Sequence, residues 1–282
     1  MKNIIALVTV YYPNEQSINN IKAIIDQVDY CYICDNSPSE NTILASLAKS
    51  KYIFNGKNLG LSLAFNKVLK EYPFQDDDFV IFFDQDSSIY KGYIQSLVNE
   101  YEQSEKQGLK IGGIGPNFYN SFNSENDTLL NTKISSVPIK ADSIMTSSFL
   151  CKYLTLKDIG FWNEEVFLDL SDWDLCWRMK QNGYSCFITP TVTLKHTLGK
   201  GEKKLGFIRV KEGNAFRIYY QTRDCLRLIS KKYVPFKYKI RFVLMLTVRP
   251  IVHLIVLSNK KERIRYFIKG IHDFNKGIYG SL

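Results

Sequence analysis

The run Val80-Ile81-Phe82-Phe83 ends abruptly in Asp84-Gln85-Asp86-Ser87, two acids one residue apart at the mouth of a strand-like apolar segment. Carboxylates so placed are hard oxygen ligands, suited to Mg²⁺ or Mn²⁺ carrying a diphosphate. A second acidic cluster, Asp169-Leu170-Ser171-Asp172-Trp173-Asp174, lies downstream. If one cluster holds a metal and the other supplies a base, the chain can move a group away from a diphosphate. The Asp-x-Asp alone would equally cap a helix or line a solvated turn, so its meaning rests on what surrounds it.

Strand and helix signals alternate around these acids. Strands are expected over residues 4–10, 30–34, 52–54 and 79–83, and helices over 17–28, 42–49 and 61–71. This alternation predicts an α/β fold with a mostly parallel sheet and helices on both faces. Ligands of such sheets gather at the carboxyl ends of the strands. Tyr11-Tyr12-Pro13, Asp35-Asn36-Ser37, Asn58-Leu59-Gly60 and Asp84-Gln85-Asp86 all fall there. Beyond a helix over 94–107, the spacing predicts strands over 111–116, 143–150 and 185–189, with a polar loop over 120–127. A short helix ends at 157–160, a further helix covers 172–182, and His196 follows an extended stretch. From Asn214 onward the pattern is helical, which sets the expected boundary between a domain of residues 1–213 and an extension of residues 214–282.

Composition narrows the classes. With 282 residues, 45% of them hydrophobic, and 18 Tyr and 18 Phe, the chain can bury a full core. The first residues carry a charge and an apolar run, but lack a small-residue cleavage site and break into Tyr11-Tyr12-Pro13. They read as a core strand of a cytosolic protein rather than a signal peptide. Cys31-x-x-Cys34 sits within a strand and has no second pair at zinc-ligand spacing, which favours buried thiols over redox or zinc chemistry. The net charge of +9 is concentrated in the C-terminal third. Nucleic acid, anionic lipid, a phosphorylated substrate or a plain solvated face would each account for it. No helix-turn-helix or zinc pattern supports nucleic acid, and the acidic strand ends would repel phosphates without a metal. The apolar stretch 241–257 carries Arg249, Pro250 and His253 centrally. A central Arg costs about 2.5–3.5 kcal/mol on insertion scales. Helices lying on a membrane surface, or ordinary core packing, therefore fit this stretch better than a span.

These motifs together resemble the inverting GT-A glycosyltransferases of family 2, and within them the bacterial rhamnosyltransferases of O-antigen and capsule assembly. The resemblance runs from Ile4 to about Asp224. It is carried by Val8-Thr9-Val10-Tyr11, Cys34-Asp35-Asn36-Ser37, Asn58-Leu59-Gly60 with Asn66, and Asp84-Gln85-Asp86. Ile159-Gly160-Phe161, Phe167 to Asp172, His196 and Tyr219-Tyr220-Gln221-Thr222-Arg223 continue it. It implies a GT-A, Rossmann-like domain with a C-terminal helical extension and a Mg²⁺ or Mn²⁺ cofactor held by Asp86 and His196. Asp84 would face the donor ribose or the metal's waters. Thr9, Tyr11, Asp35, Asn58, Gly60 and Asn66 would bind the donor, with Asp35 on the pyrimidine N–H.

Asp172 is the candidate general base. Relatives present an acid followed by Asp here, or Asp-Tyr-Val-Asp in the rhamnosyl group. In Asp169-Leu170-Ser171-Asp172 the last Asp keeps the position while Ser171 replaces the commoner acid. Asp169 and Asp174 therefore compete with it, and N-capping of the following helix is the structural alternative for Asp172. Ser147, Asp169, Arg217 and Arg223 are candidates for acceptor or phosphate contacts. By resemblance, dTDP-L-rhamnose would be the donor, with UDP-galactose or UDP-glucose the alternative. A polyprenyl-diphosphate-linked glycan would be the acceptor, and the basic C-terminus would dock on the anionic inner face of the bacterial cell membrane. A basic nucleic-acid- or membrane-binding protein without catalysis is the reading from another class.

Overall fold

The computed structural model describes residues 2–120, 137–196, 202–205, 208–211 and 213–282. The polar loop expected over 120–127 lies, after Asn120, outside the described residues. Four strands open the chain: β1 (Ile4–Val10), β2 (Tyr30–Asp35), β3 (Ser50–Phe54) and β4 (Phe79–Asp84). They pair in parallel in the order β3-β2-β1-β4. Their connections are α1 (Glu15–Ile25), the single turn α2 (Thr42–Ala45) and α3 (Gly60–Glu71), and α4 (Tyr93–Lys106) follows β4. Asn14 caps α1 by accepting from Ser17 N–H at 2.9 Å, satisfying one of the donors a helix start leaves free.

The sheet continues through β7 (Phe149–Lys152), β5 (Ile111–Asn120), β8 (Ser185–His196) and β6 (Ile139–Ala141). β7 is antiparallel to both β4 and β5, β8 runs parallel to β5, and β6 is antiparallel to β8. Among the described residues this makes one mixed, mostly parallel eight-stranded sheet. Side chains alternate across each strand. Phe79, Ile81 and Phe83 of β4 pack with Ile21, Ile24 and Leu97, while Val80 and Phe82 pack with Phe65, Trp162 and Leu175. Burial on both faces is why this strand reads as an unbroken apolar run. The same alternation sends Cys31 to one face and Cys34 to the other, so the pair cannot grip one atom. Burial pushes both thiols up, Cys34 to about 12, which leaves them inert.

Departures from expectation include two in the second half of the sheet. Residues 143–148 are not strand: Ser148 takes a left-handed φ of 68°, donates its N–H to Phe82 O, and delays the strand to Phe149. β8 runs past Thr189, because the β5–β8 register shifts between Pro116 and Asn117, opposite Thr189 and Thr193. Pro190 lies in the skipped stretch and has no N–H to give the ladder.

The second half adds α5 (Tyr153–Asp158), α6 (Ser171–Gln181), a small antiparallel pair β9 (Glu202–Leu205) and β10 (Ile208–Lys211), and three helices, α7 (Arg217–Ile229), α8 (Phe236–Val256) and α9 (Lys260–Asn275). Trp177 of α6 packs with Cys225, Leu228 and Phe242, joining the last helices to the acidic segment before them. Pro250 does not divide the apolar stretch, since α8 continues through it. Among the described residues, no helix is long and apolar enough to cross a membrane.

Candidate active site

Parallel pairing of β1 with β2 and β4 brings three strand ends together, setting Val10 beside Asp35 and Thr9 beside Asp84. Gln85 ties the loops beyond them: its Oε1 accepts Tyr11 N–H at 2.7 Å and its Nε2 donates to Tyr11 O at 3.2 Å. Asn36 ties the third, donating to Gly60 O at 3.0 Å and accepting from Asn55 Nδ2 at 3.1 Å. A cleft of about 270 Å³ opens over these ends. Thr9, Tyr11, Asn58, Gly60 and Asp84 line it, joined by Val10, Asn36, Leu61, Gln85, Phe167, Leu168, Phe216 and Tyr220.

Gly60 is required by geometry. Its φ is +75°, and a Cβ there would stand 2.7 Å from Phe167 O and 2.6 Å from the Phe167 ring. Phe167 O also accepts Leu61 N–H at 3.0 Å, which fixes the loop before α6 to the start of α3. Asn58 accepts Gly60 N–H at 2.9 Å.

The acidic segment resolves into three different carboxylates. Asp174 is fully buried and accepts from Arg178 Nε at 2.7 Å, Tyr233 Oη at 2.5 Å and Asn163 Nδ2 at 3.2 Å. Asp169 accepts from the Arg217 guanidinium and from Gln221 Nε2 at 2.7 Å. Asp172 accepts the backbone N–H of Trp173, at 2.8 Å, and has no side-chain donor among the described residues. It is not the helix cap, because Leu170 holds that position without a side-chain bond. Ser171, in place of the commoner acid, is buried, accepting from Ser62 Oγ at 3.2 Å and donating to Val166 O at 3.4 Å. Burial, then the charges of Asp84 and Asp169, push the Asp172 carboxyl up to about 7. That is a value suited to taking a proton near neutral pH. Asp84 is also raised to about 7, by burial and by the carboxylate of Asp86. Asp84 lines the cleft, and its repulsion with Asp86 fits a divalent cation, whose charge would relieve both.

Other expectations are corrected. Asn66 does not face the cleft: it is buried, donating to Trp162 O and Glu164 Oε1 at 2.8 Å each. Ser147 is fully buried, its hydroxyl paired with Ser87 Oγ. Arg223 is buried too, donating to Asp224 Oδ1 at 3.1 Å and Gly280 O at 2.8 Å, so it offers no fork to a phosphate. Asp35 is fully buried, accepting from Tyr52 Oη at 2.7 Å and Ser37 N–H at 2.8 Å, while its neighbour Asn36 reaches the cleft. Arg217 stays exposed beside Asp169. The His196 side chain lies outside the described residues, and among those described no three His, Cys, Asp or Glu cluster as a metal site.

Residues 10–145 match the model of glycosyl transferase family 2. The chain carries a family 2 glycosyltransferase domain. Across the whole length it is similar to the dTDP-rhamnosyl transferase RfbF of Shigella flexneri. The two are 26% identical over 293 residues, covering 99% of this chain and 97% of that one. Among solved structures, S. aureus TarS superposes with a TM-score of 0.59 at 12% identity, over 99% of this chain and 49% of TarS. Its fragment 1–349 in complex with UDP-GlcNAc gives 0.55 over 82% of that fragment. GalNAc-T7 with UDP, GalNAc and Mn²⁺ gives 0.53 at 11% identity, over 98% of this chain and 58% of that one. These structural likenesses establish the GT-A architecture around the family 2 domain.

Proposed function

We propose that this protein is an inverting rhamnosyltransferase. It would move L-rhamnose from dTDP-L-rhamnose to a hydroxyl of a lipid-linked oligosaccharide in cell-surface polysaccharide synthesis. The observation that carries the proposal is Asp172, the one acid of its cluster left without a cationic or side-chain donor among the described residues. The similarity to a dTDP-rhamnosyl transferase supports the donor.

In this reading the acceptor hydroxyl attacks the anomeric carbon from the face opposite the diphosphate. Asp172 takes the hydroxyl proton as the new C–O bond forms, and the anomeric C–O bond breaks with its electrons passing to the diphosphate. Asp84 and Asp86 would hold Mg²⁺ or Mn²⁺, which when bound neutralises charge on the leaving diphosphate. Thr9, Tyr11, Asn58 and Gly60 would seat the nucleotide, the glycine by letting backbone approach. Phe167, stacked on Tyr220, forms an apolar wall that excludes water from part of the cleft. The exposed apolar side of α8 and the lysines and arginines flanking it suit peripheral docking on the inner face of the bacterial cell membrane.

The deciding test is Asp172→Asn. Transfer should fall by about 10²–10⁴-fold, while stabilisation of the protein by dTDP with Mn²⁺ stays near that of the parent. Equal loss of both would remove Asp172 from the role of base. A larger stabilisation by UDP than by dTDP would keep the mechanism and reassign the donor to a UDP-sugar.

A further inference from the structure

An apolar groove of about 340 Å³ runs between α7, α8 and α9. Its size falls at the low end of ligand pockets, about 300–1,000 Å³. Leu246, Leu254 and Phe267 line its body, and Ile251 and Ile268 at its rim belong to the exposed apolar surface of α8 and α9. At one end it merges with a smaller cavity of about 170 Å³. The two share Arg249, His253 and Arg263, and Arg217 lines the smaller one.

Three guanidinium groups therefore meet at the end of an apolar channel. Arg263 is buried, yet its recorded bonds go to neutral carbonyls, Ser258 O at 2.9 Å and Gly213 O at 3.2 Å. Arg249 donates to Gln221 Oε1 at 2.7 Å and lies 3.2 Å from His253 Nε2. Among the described residues, neither arginine has a carboxylate in ion-pair contact, whereas Arg217 has Asp169. Arg263 is buried with only neutral partners, and the Asp169 carboxylate, already bound to Arg217, acts on Arg249 only from beyond ion-pair contact, so the pair favours an anion arriving from outside. Burial and the flanking arginines depress His253 to about 4, which keeps it a neutral imidazole at physiological pH.

We infer that the groove binds the lipid phosphate anchor of the acceptor, the chain lying between the three helices and the phosphate on Arg249 and Arg263. The polar end adjoins Arg217 and Gln221, both hydrogen-bonded to Asp169, three residues before Asp172. A glycan carried on that phosphate would leave the groove on the side of the base. The apolar rim is continuous with the exposed stripe of α8, so a long chain can enter sideways from a bilayer and keep its distal part there. The identity of the anchor as an acceptor rests on the transferase reading; the binding of a phosphate-bearing chain does not.

The test is calorimetric titration of the full chain with farnesyl diphosphate, in excess dTDP and Mn²⁺ to occupy the donor cleft. Farnesol, inorganic pyrophosphate and dihexanoyl phosphatidylglycerol are titrated alongside. Farnesyl diphosphate should bind at least about tenfold more tightly than each of the three. Arg249→Gln should weaken it by about tenfold or more, and Leu254→Trp, which fills the groove, by a similar factor. Both variants should keep the parent's thermal shift with dTDP and Mn²⁺. Binding no tighter than pyrophosphate, or binding untouched by both variants, would overturn the groove assignment. Equal binding of phosphatidylglycerol would give the groove to bulk lipid and overturn the acceptor assignment. If dTDP produced no shift in any form while farnesyl diphosphate still bound through Arg249 and Leu254, the donor reading would fail and the groove would stand.

Discussion

Phe167 lies flat against Tyr220, ring centroids 4.3 Å apart and planes 9° from parallel. Phe167 precedes the candidate base by five residues and touches the position where a Gly60 side chain would stand, while Tyr220 belongs to α7. The Phe167 N–H also donates to Asp224 Oδ2 at 3.0 Å. One residue thus couples the start of α3, the acidic segment and the C-terminal helices, so strain introduced at any of the three reaches the cleft.

Gly60→Ala tests that coupling. The substitution combines a left-handed φ with a Cβ driven onto Phe167 backbone, and neither atom set can swing away. Loss of about 2–4 kcal/mol in urea unfolding is expected, with weaker nucleotide binding. Gly108→Ala is the control: its φ of +82° is equally unfavourable, but nothing lies within 4 Å of the added Cβ. Only the cost of the φ, about 1 kcal/mol, should appear there. Equal losses at the two positions would mean that the Phe167 contact adds nothing.

The pH dependence of transfer should report Asp172. Burial raises the base above the ordinary carboxylate range, and a cation held beside Asp84 would lower it again, so the rate should climb with pH through a midpoint at or below about 7 and then level. One pH unit below it, the rate should be about tenfold lower than the plateau. Asp169→Asn removes a negative charge that raises Asp172 and frees the positive Arg217. Both changes favour the carboxylate, so the acidic limb should move to lower pH. A limb that stays in place would detach the titration from Asp172.

Stability should show the opposite trend with pH in the absence of metal. Asp84 and Asp172 bind protons more tightly folded than unfolded, since both carboxyls are raised to about 7. Their contribution is therefore complete below the unfolded value of about 4 and is lost as pH rises through 7. Asp84→Asn should raise the metal-free Tm at pH 8 and leave it unchanged at pH 4. Mn²⁺ with dTDP should stabilise the parent more at pH 8 than at pH 5.5, because protonated carboxylates do not ligate. A nucleotide-dependent Mn²⁺ shift that survives Asp84→Asn intact would exclude Asp84 from the metal's surroundings.

The sheet was legible because β1 to β4 alternate with helices, and their polar ends share one edge in any parallel arrangement. The acids were legible as a group, but their division of labour was not. It depends on Arg217, Gln221, Arg178 and Tyr233 arriving from distant helices to occupy Asp169 and Asp174. Asn36 and Gln85 stood inside the motifs, and their neighbours drew attention first. Phe167 and Tyr220 stood inside family-like motifs without being picked as site residues, since an aromatic that walls a cleft looks like one that fills a core. Asn66, Ser147 and Arg223 erred the other way: polar residues inside family-like motifs proved to be buried partners of backbone and neighbouring side chains. Arg223 pairs with Asp224 and accepts its place beneath Tyr219, whose hydroxyl donates to Asp273 at 2.8 Å. No local pattern separates such an arginine from one that grips phosphate.

The outer face of α8 gives the last prediction. Ile240, Leu244, Val248, Ile251 and Ile255 recur at intervals of four, four, three and four, and all are exposed. That spacing is one stripe of a helix, and it faces away from the core. Ile264, Ile268 and Ile271 extend the apolar surface onto α9. Lysines and arginines at the start of α8 and α9 would sit among anionic headgroups, each adding about 1 kcal/mol near the surface. Replacing Leu244 and Val248 together by Asp should lower binding to vesicles containing phosphatidylglycerol by at least about tenfold, from lost apolar burial and added repulsion. Because both side chains already face outward, the urea midpoint should stay close to that of the parent. High salt should weaken the parent's binding, but binding to neutral vesicles should vary little with salt. If the double variant bound anionic vesicles as well as the parent does, this stripe would not be the membrane face.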